Sequence, residues 1–225
     1  MDFSLRTQPI STRDAVYMQL REQILKLELP PGTPLSENET SVLFKVSRTP
    51  VRESFVRLAQ EGLVHVLPQR GTFVALIDTA LVEEARFMRE QLEKAVIVLA
   101  CQHFPDQQMS ELELNLQRQE ACVRAQDDKS MFELDEAFHR ILFDGCSKSN
   151  MWAVMQQMNA HLNRSRMLRL VDDHNWEHLY EQHCSMLEAM KAKDTTRAER
   201  LMKEHLSLNI ADQALLKEKY PNYYK

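Results

Sequence analysis

The sequence predicts a mainly α-helical chain in two parts: a winged helix-turn-helix, then an all-α antiparallel bundle of six helices. Two serines that can cap helices, Ser36 and Ser47, precede short helical patterns, and two alternating stretches then surround a glycine. From about residue 79 onward, apolar residues recur at helical spacing and no strand pattern is seen. These observations divide the 225 residues into parts 1–76 and 77–225.

Three helices and a hairpin are predicted in the first part. Apolar residues at helical spacing mark a helix over 16–27, which ends because two prolines follow and cannot continue its hydrogen bonds. Ser36, with Glu39 three residues later, is typical of a capping box that starts a short helix to about residue 44. A third helix runs from Ser47 to residue 60, and short strands over 64–66 and 72–74 follow.

The third helix presents a pattern typical of DNA recognition. Val51 and Phe55 face the core, whereas Arg48, Thr49 and Arg52 face outward. The arginine fork can bond guanine or clamp a phosphate, and the Ser47 and Thr49 hydroxyls lie where a helix N-terminus offers free N–H groups to phosphate. Six residues are therefore predicted to contact DNA, the last two of them in the turn between the strands: Ser47, Arg48, Thr49, Arg52, Arg70 and Gly71.

The net charge of −5 is not spread evenly along the chain. Residues 1–78 contain nine basic and nine acidic residues, so the whole excess of acid lies in residues 79–225. Within segment 47–57, three arginines face one glutamate, and such local charge is what meets phosphate. A neutral module with one basic helix predicts modest non-specific affinity, and therefore binding to DNA as a homodimer.

The first part resembles the GntR family of bacterial transcription regulators over about residues 10–76. The residues that carry the resemblance are Leu35-Ser36-Glu37, Val46-Ser47-Arg48-Thr49-Pro50-Val51-Arg52-Glu53, Leu58, Glu61-Gly62-Leu63-Val64 and Arg70-Gly71-Thr72-Phe73-Val74. The resemblance implies a transcription regulator that binds double-stranded DNA. Where that family often has an arginine that touches DNA, this chain has Asn38.

The second part is predicted to contain six helices separated by proline, glycine and paired acidic residues. Their expected ranges are 79–103, 106–126, 129–145, 149–171, 175–192 and 195–218. Short connections of this kind favour an antiparallel bundle.

Several polar side chains occupy the apolar faces of these helices. Burying one carboxylate and three imidazoles is costly unless they are paired or coordinate a metal. Asp135 and His139 are four residues apart, so they point the same way and can share one ion. We therefore predict a divalent metal site, with Zn²⁺ or Ni²⁺ favoured, formed by Asp135, His139, His183 and His205.

Three other histidines of the second part are weaker candidates for binding a metal or a ligand. His174 and His178 are also four residues apart but lie off the apolar stripe, so they are not predicted to be ligands. His161 lies on the inner side of its helix near Met158 and Leu162, where it could line a ligand pocket.

The second part resembles the FCD-type effector domain of the FadR subfamily, and six helices place it near the VanR-like branch. The matching features are Arg89-x-x-Leu92-Glu93, Asp135-x-x-x-His139, Gln182-His183 and Met202-x-x-His205-Leu206. The resemblance implies that the domain forms a dimer and that a metal and an arginine hold a small carboxylate metabolite. Carried over, Arg89 would bind the ligand carboxylate through a bidentate pair. Gln182 stands where glutamate is common in that family.

The resulting hypothesis is a ligand-responsive, homodimeric regulator, with repression favoured, that binds a pseudo-palindromic operator. Two alternatives remain open: a regulator that senses the metal itself, and a helical-bundle metalloenzyme. No apolar run approaches the roughly 18 residues of a membrane helix, and the four cysteines form no CxxC pair. We therefore expect a cytoplasmic protein with reduced thiols and no membrane partner. We also expect that it is not an enzyme, because no clear general base lies beside the predicted metal ligands and an enzyme would not explain Arg48, Arg52 and the hairpin.

Overall fold

A computed structural model describes residues 11–173, 176–207 and 209–225, together with their side chains except those of residues 173 and 209–212. His174 therefore lies outside the described residues. The contacts between residues divide the chain into two compact units, Met1–Leu76 and Ile77–Lys225.

Over residues 11–76, the first unit contains three helices and a small antiparallel sheet in the order β1-β3-β2. In chain order the elements are α1 (Thr12–Leu25), β1 (Pro34–Leu35), α2 (Glu37–Leu43), α3 (Arg48–Gln60), β2 (Val64–Leu67) and β3 (Gly71–Val74). The predicted winged helix-turn-helix is confirmed. Sequence reasoning missed β1, because two residues are too short to show an alternating pattern.

Serine caps account for where two of these helices begin. The Ser11 hydroxyl accepts a hydrogen bond from the Asp14 backbone N–H at 3.1 Å, so α1 starts four residues before the predicted position. Ser36 accepts from the Glu39 N–H at 3.4 Å, as the capping box predicted. Ser47 is the N-cap of α3, but its side chain makes no capping hydrogen bond.

The second unit is helical, and its described residues form eight α-helical segments where six helices were predicted. They are α4 (Thr79–Gln102), α5 (Asp106–Ala125), α6 (Asp128–Gly145), α7 (Ser149–Met158), α8 (Ala160–Asp173), α9 (Trp176–Lys191), α10 (Thr195–Ser207) and α11 (Asn209–Lys219). The predicted helix 149–171 is divided at Asn159, which is fully buried and whose side-chain amide finds no hydrogen-bond partner among the described residues. The predicted helix 195–218 is described as α10 and α11, and residue 208, which lies between them, is outside the described residues.

The core of this unit lies where the long helices meet. Helix α4 packs against α6, α8, α9 and α10, and α5 packs against α6 and α9. Apolar side chains from these helices, including Ile97, Leu112 and Phe138, are completely buried. Within the described part of the chain, no helix is long and apolar enough to cross a membrane.

Candidate metal centre and nucleic-acid interface

Three helices bring the four predicted metal ligands together. Helix α6 supplies Asp135 and His139, α9 supplies His183, and α10 supplies His205. One potential ligand atom from each residue lies within 4.8 Å of all the others. The three imidazole Nε2 atoms are 3.7 to 3.9 Å from the same oxygen, Asp135 Oδ1. The four side chains are at most 5% exposed, so the cluster is shielded from bulk water.

The Nδ1 atom of each histidine faces an oxygen acceptor. Gln119 Oε1 lies 2.9 Å from His183 Nδ1, and Gln182 Oε1 lies 2.9 Å from His205 Nδ1. A Glu93 carboxylate oxygen contacts His139 Nδ1. An oxygen acceptor at Nδ1 places the ring proton there and leaves the lone pair on Nε2. All three lone pairs therefore point to the centre of the cluster.

Among the described residues, these lone pairs have no satisfactory partners. His139 Nε2 and His205 Nε2 are only 3.2 Å apart, and two unprotonated nitrogens cannot hydrogen-bond to each other. His183 Nε2 is buried and has no hydrogen-bond partner among the described residues. A divalent ion would satisfy all three nitrogens and Asp135 Oδ1 at once. The donor set of three imidazoles and one carboxylate suits Zn²⁺ or Ni²⁺.

The local electrostatics favour the protonation states that a metal requires. Burial raises the pKa of Asp135, but the combined effect of its charged neighbours, with Arg166 the largest, outweighs burial and holds this pKa far below its usual range. Burial lowers the pKa of His183 to about 3 and that of His205 well below 6.5. The carboxylate is thus ionised and these two imidazoles are neutral near pH 7, so a metal need not displace their protons.

Because His183 and His205 are buried and neutral, we expect the metal-free protein to lose stability between pH 7 and pH 5. Both pKa values lie near 6.5 in the unfolded chain and far lower in the folded one, so below pH 6.5 only the unfolded chain gains these protons. At pH 5 each histidine should reduce the free energy of unfolding by about 2 kcal/mol. Urea denaturation at both pH values measures this loss, and His205→Gln should roughly halve it. An unchanged free energy would contradict the neutral-histidine assignment.

A small cavity of about 20 Å³ adjoins the cluster. Its lining combines two cluster residues with two arginines of α8 and three leucines: Asp135, His205, Arg166, Arg169, Leu170, Leu179 and Leu206. A volume of this size holds about one water molecule. Arg89 and His161, the two residues predicted to bind ligand, are not among the lining residues.

Arg89 is fully buried in an ion-pair network behind the cluster. Its Nε contacts Glu93, and its Nη1 lies 3.3 Å from Glu136 Oε1. The Arg89 charge offsets the burial of Glu93 and, with His139, lowers the pKa of Glu93 to about 2. Arg89 therefore does not contact the candidate ligands directly. It contacts Glu93, and Glu93 contacts His139.

His161 lies at the start of α8, where it contacts the beginning of α4 rather than the cavity. Its Nδ1 accepts a hydrogen bond from the Asp78 backbone N–H at 2.9 Å. The preceding residue, Ile77, forms a parallel bridge with Tyr224, and the Ile77 N–H donates to the Tyr223 carbonyl at 2.7 Å. His161 thus helps to hold the first residues of the second unit.

Sequence reasoning missed Arg166 and Gln119. Arg166 donates to Asp135 and, at 2.5 Å, to Glu136. Gln119 positions His183 and is itself held by Asn115 at 2.6 Å. Both follow buried leucines at helical spacing, Leu162 on α8 and Leu112 on α5. The criterion that identified the metal ligands, a polar side chain on an apolar face, would have found them.

The residues predicted to contact DNA are exposed in the first unit. Ser47, Arg48 and Thr49 lie at the start of α3, and the Ser47 hydroxyl is not used for capping. Arg52 donates two hydrogen bonds of 3.0 Å to the carboxylate of Glu37, at the start of α2. This pairing raises the pKa of Arg52.

The tip of the hairpin is also exposed. Arg70 ends the loop between β2 and β3, and Gly71, the first residue of β3, has a φ of 104°, a conformation that favours glycine. Arg57, by contrast, pairs with Asp14 at 2.7 Å and lies 3.7 Å from the centre of the Tyr17 ring. The contacts of Arg57 stabilise the packing of α1 on α3. The basic surface of α3 therefore consists of Arg48 and Arg52.

Comparison with known proteins matches both parts of the chain. Residues 12–74 match the family described as bacterial regulatory proteins, gntR family, and residues 84–208 match the FCD domain. The HTH-type transcriptional repressor RspR of Escherichia coli (strain K12) is 36% identical over 200 residues, covering 89% of this chain and 87% of the relative. A regulator from an unstable DNA locus of Streptomyces ambofaciens is 36% identical over 214 residues, covering 95% and 90%.

A solved structure confirms the fold. Escherichia coli McbR/YncC superposes with a TM-score of 0.79 at 22% identity, covering 94% of this chain and 100% of that one. These relatives align with both parts of the chain, and they are named as transcription regulators. The metalloenzyme alternative is therefore excluded. The chain belongs to the GntR family of bacterial regulatory proteins and is a transcription regulator with an FCD domain.

Proposed function

We propose that this regulator is a homodimeric repressor whose second unit binds a divalent metal and, beside it, a small carboxylate metabolite. The observation that carries the proposal is the convergence of three imidazole Nε2 atoms and Asp135 Oδ1 on one buried point. The two arginines that line the adjoining cavity, Arg166 and Arg169, support an anionic ligand. Repression is favoured because the relative RspR is named a repressor.

The DNA contacts are assigned to α3 and the hairpin of the first unit. In a dimer, two α3 helices would enter successive major grooves of a pseudo-palindromic operator. Arg48 and Arg52 would contact bases or phosphates, Ser47 and Thr49 would contact phosphate at the helix N-terminus, and the hairpin tip with Arg70 and Gly71 would contact backbone or minor groove. Because Glu37 holds Arg52, that guanidinium is oriented before DNA arrives.

Helix α8 offers a route by which the ligand site could influence the junction between the units. Arg166 and Arg169 line the cavity, and His161 at the start of the same helix holds the Asp78 backbone. A shift of α8 on ligand binding would therefore act on residues 77 and 78. To change operator affinity, the ligand must bind the two states of the protein with different affinity.

Selection of genomic DNA fragments by the purified protein, followed by sequencing, tests the proposed function. We expect an enriched inverted repeat, and the neighbouring genes would indicate the metabolic pathway of the ligand. Metal content is measured on the same preparation. A folded dimer that enriches no sequence, with and without added Zn²⁺, would contradict the proposed DNA-binding role.

A metal sensor without an organic effector is the second candidate function. The small cavity favours it, because a volume of about 20 Å³ admits little more than water in this conformation. Titrating Zn²⁺ or Ni²⁺ against operator affinity separates the two candidates. A shift near physiological free metal concentrations supports the sensor, whereas tight constitutive metal supports the ligand-responsive regulator.

A further inference from the structure

Glu136, on α6, lies in surroundings that resemble a binding site for an anion. Its Oε1 accepts from Arg166 Nη1 at 2.5 Å and from Arg89 Nη1 at 3.3 Å. Its Oε2 accepts from Gln156 Nε2 at 2.8 Å. Two guanidinium groups and an amide therefore donate to one carboxylate, which is how proteins bind carboxylate ligands.

The same two arginines hold the groups that surround the candidate ion. Arg166 donates to Asp135 Oδ2, while Asp135 Oδ1 faces the three histidines. Arg89 contacts Glu93, which in turn contacts His139. A carboxylate bound at the position of Glu136 is thus connected to the metal centre on two sides.

Glu136 is the member of this network that can leave most easily. Its side chain is 18% exposed, whereas those of Arg89 and Arg166 are 2% and 8% exposed. An ionised carboxylate that turns outward regains its hydration, which offsets part of the loss of its hydrogen bonds, but withdrawing either arginine would strand Glu93 or Asp135 without its counter-charge. The cavity of about 20 Å³ is too small for a metabolite until a neighbouring group moves.

We propose that Glu136 is an internal substitute for the effector, and that a small dicarboxylate displaces it. One ligand carboxylate would bind the metal, and the other would take the place of Glu136 on Arg89 and Arg166. This inference rests on the proposed function, since it requires a metal in the cluster. Glu136 then competes with the ligand and sets the concentration at which the regulator responds.

The charge balance selects a dianion. Once Glu136 has turned outward, the charges of the four residues left in this ion-pair network, Asp135, Glu93, Arg89 and Arg166, cancel. A divalent ion then leaves two uncompensated positive charges, which a dicarboxylate neutralises. A monocarboxylate of the same length would leave one charge buried and unpaired, which is unfavourable.

Calorimetric titration of the zinc-loaded full-length protein tests the inference with two four-carbon probes, succinate and butyrate. We expect Glu136→Gln to bind succinate at least tenfold more tightly than the unchanged protein, and to prefer succinate over butyrate by a similar factor. Glu133→Gln is the matched control, because it removes the same charge from an exposed position on the same helix. It should stay within twofold of the unchanged protein. Glu136→Ala provides a second variant if the amide distorts the network.

The possible outcomes separate this inference from the proposed function. If a chelator competition shows that no variant holds Zn²⁺, the proposed metal site is wrong and the inference fails with it. A second outcome is that Zn²⁺ binds but succinate binds the Glu136 variants no more tightly than the unchanged protein. A third is that Zn²⁺ binds and succinate binds no variant at all. Either result overturns only the role of Glu136. Equal affinity for succinate and butyrate would overturn the preference for a dianion.

Discussion

Replacement of His183 by alanine is expected to weaken Zn²⁺ or Ni²⁺ binding on the order of 100-fold or more. Substitution of a residue that only hydrogen-bonds to a metal ligand already lowers metal affinity about 10- to 100-fold. The substitution removes one of the three Nε2 donors that face Asp135 Oδ1. Affinity is measured by competition with a chromophoric chelator. A thermal melt of the metal-free variant verifies that it is folded.

His178→Ala is the matched control for this measurement. His178 is an exposed histidine on the same helix as His183 and lies outside the cluster, so its loss should leave metal affinity unchanged. If His183→Ala unfolds the protein, Asp135→Asn removes the charged ligand while preserving side-chain volume. Unchanged metal affinity in a folded ligand variant would show that the four residues do not form the binding site.

Replacement of Arg52 by alanine is expected to reduce specific operator affinity by about 1–3 kcal/mol, roughly 5- to 150-fold. Arg52 is exposed on α3, and Glu37 holds its guanidinium in one orientation through two hydrogen bonds. The variant loses both the fork that can read a base and a charge that can meet phosphate. Fluorescence anisotropy with the operator obtained by genomic selection measures the loss.

Arg52→Lys distinguishes the two kinds of contact. Lysine keeps the charge but lacks the planar fork, so a base contact predicts nearly the full loss, whereas a phosphate contact predicts a small one. The salt dependence of binding provides an independent measure, because each lost phosphate contact lowers its slope by about one. Operator affinity that is the same for Arg52→Ala and the unchanged protein would show that α3 is not the recognition helix.

Local sequence patterns predicted most of the fold because the signals were strong and short-ranged. Ser36 begins α2 as the capping pattern predicted. Helical periodicity did not predict the interruption at Asn159. This residue divides the predicted helix 149–171, although no proline or glycine marks the position. The side-chain amide of Asn159 is buried, and the contacts around a buried side chain cannot be predicted from the periodicity of one helix.

The candidate metal ligands followed from the sequence, because a charged or imidazole side chain on an apolar stripe has few structural explanations. The contacts of Arg89 did not follow. The resemblance to the FCD-type domain implied a ligand contact for Arg89, and the structure shows it paired with Glu93 and Glu136. The choice among buried partners depends on distances between helices, which spacing along one helix cannot supply.

The sequence by itself determined the winged helix-turn-helix, the helical second part and the four residues of the candidate metal centre. These features arise from caps, periodicity and the cost of burying charge, all of which act over a few residues. Only the tertiary structure decided which oxygen holds each imidazole, which arginines line the cavity, and that Glu136 occupies the place of an anion. Those contacts join α4, α5, α6, α8, α9 and α10, so they exist only once the helices have packed.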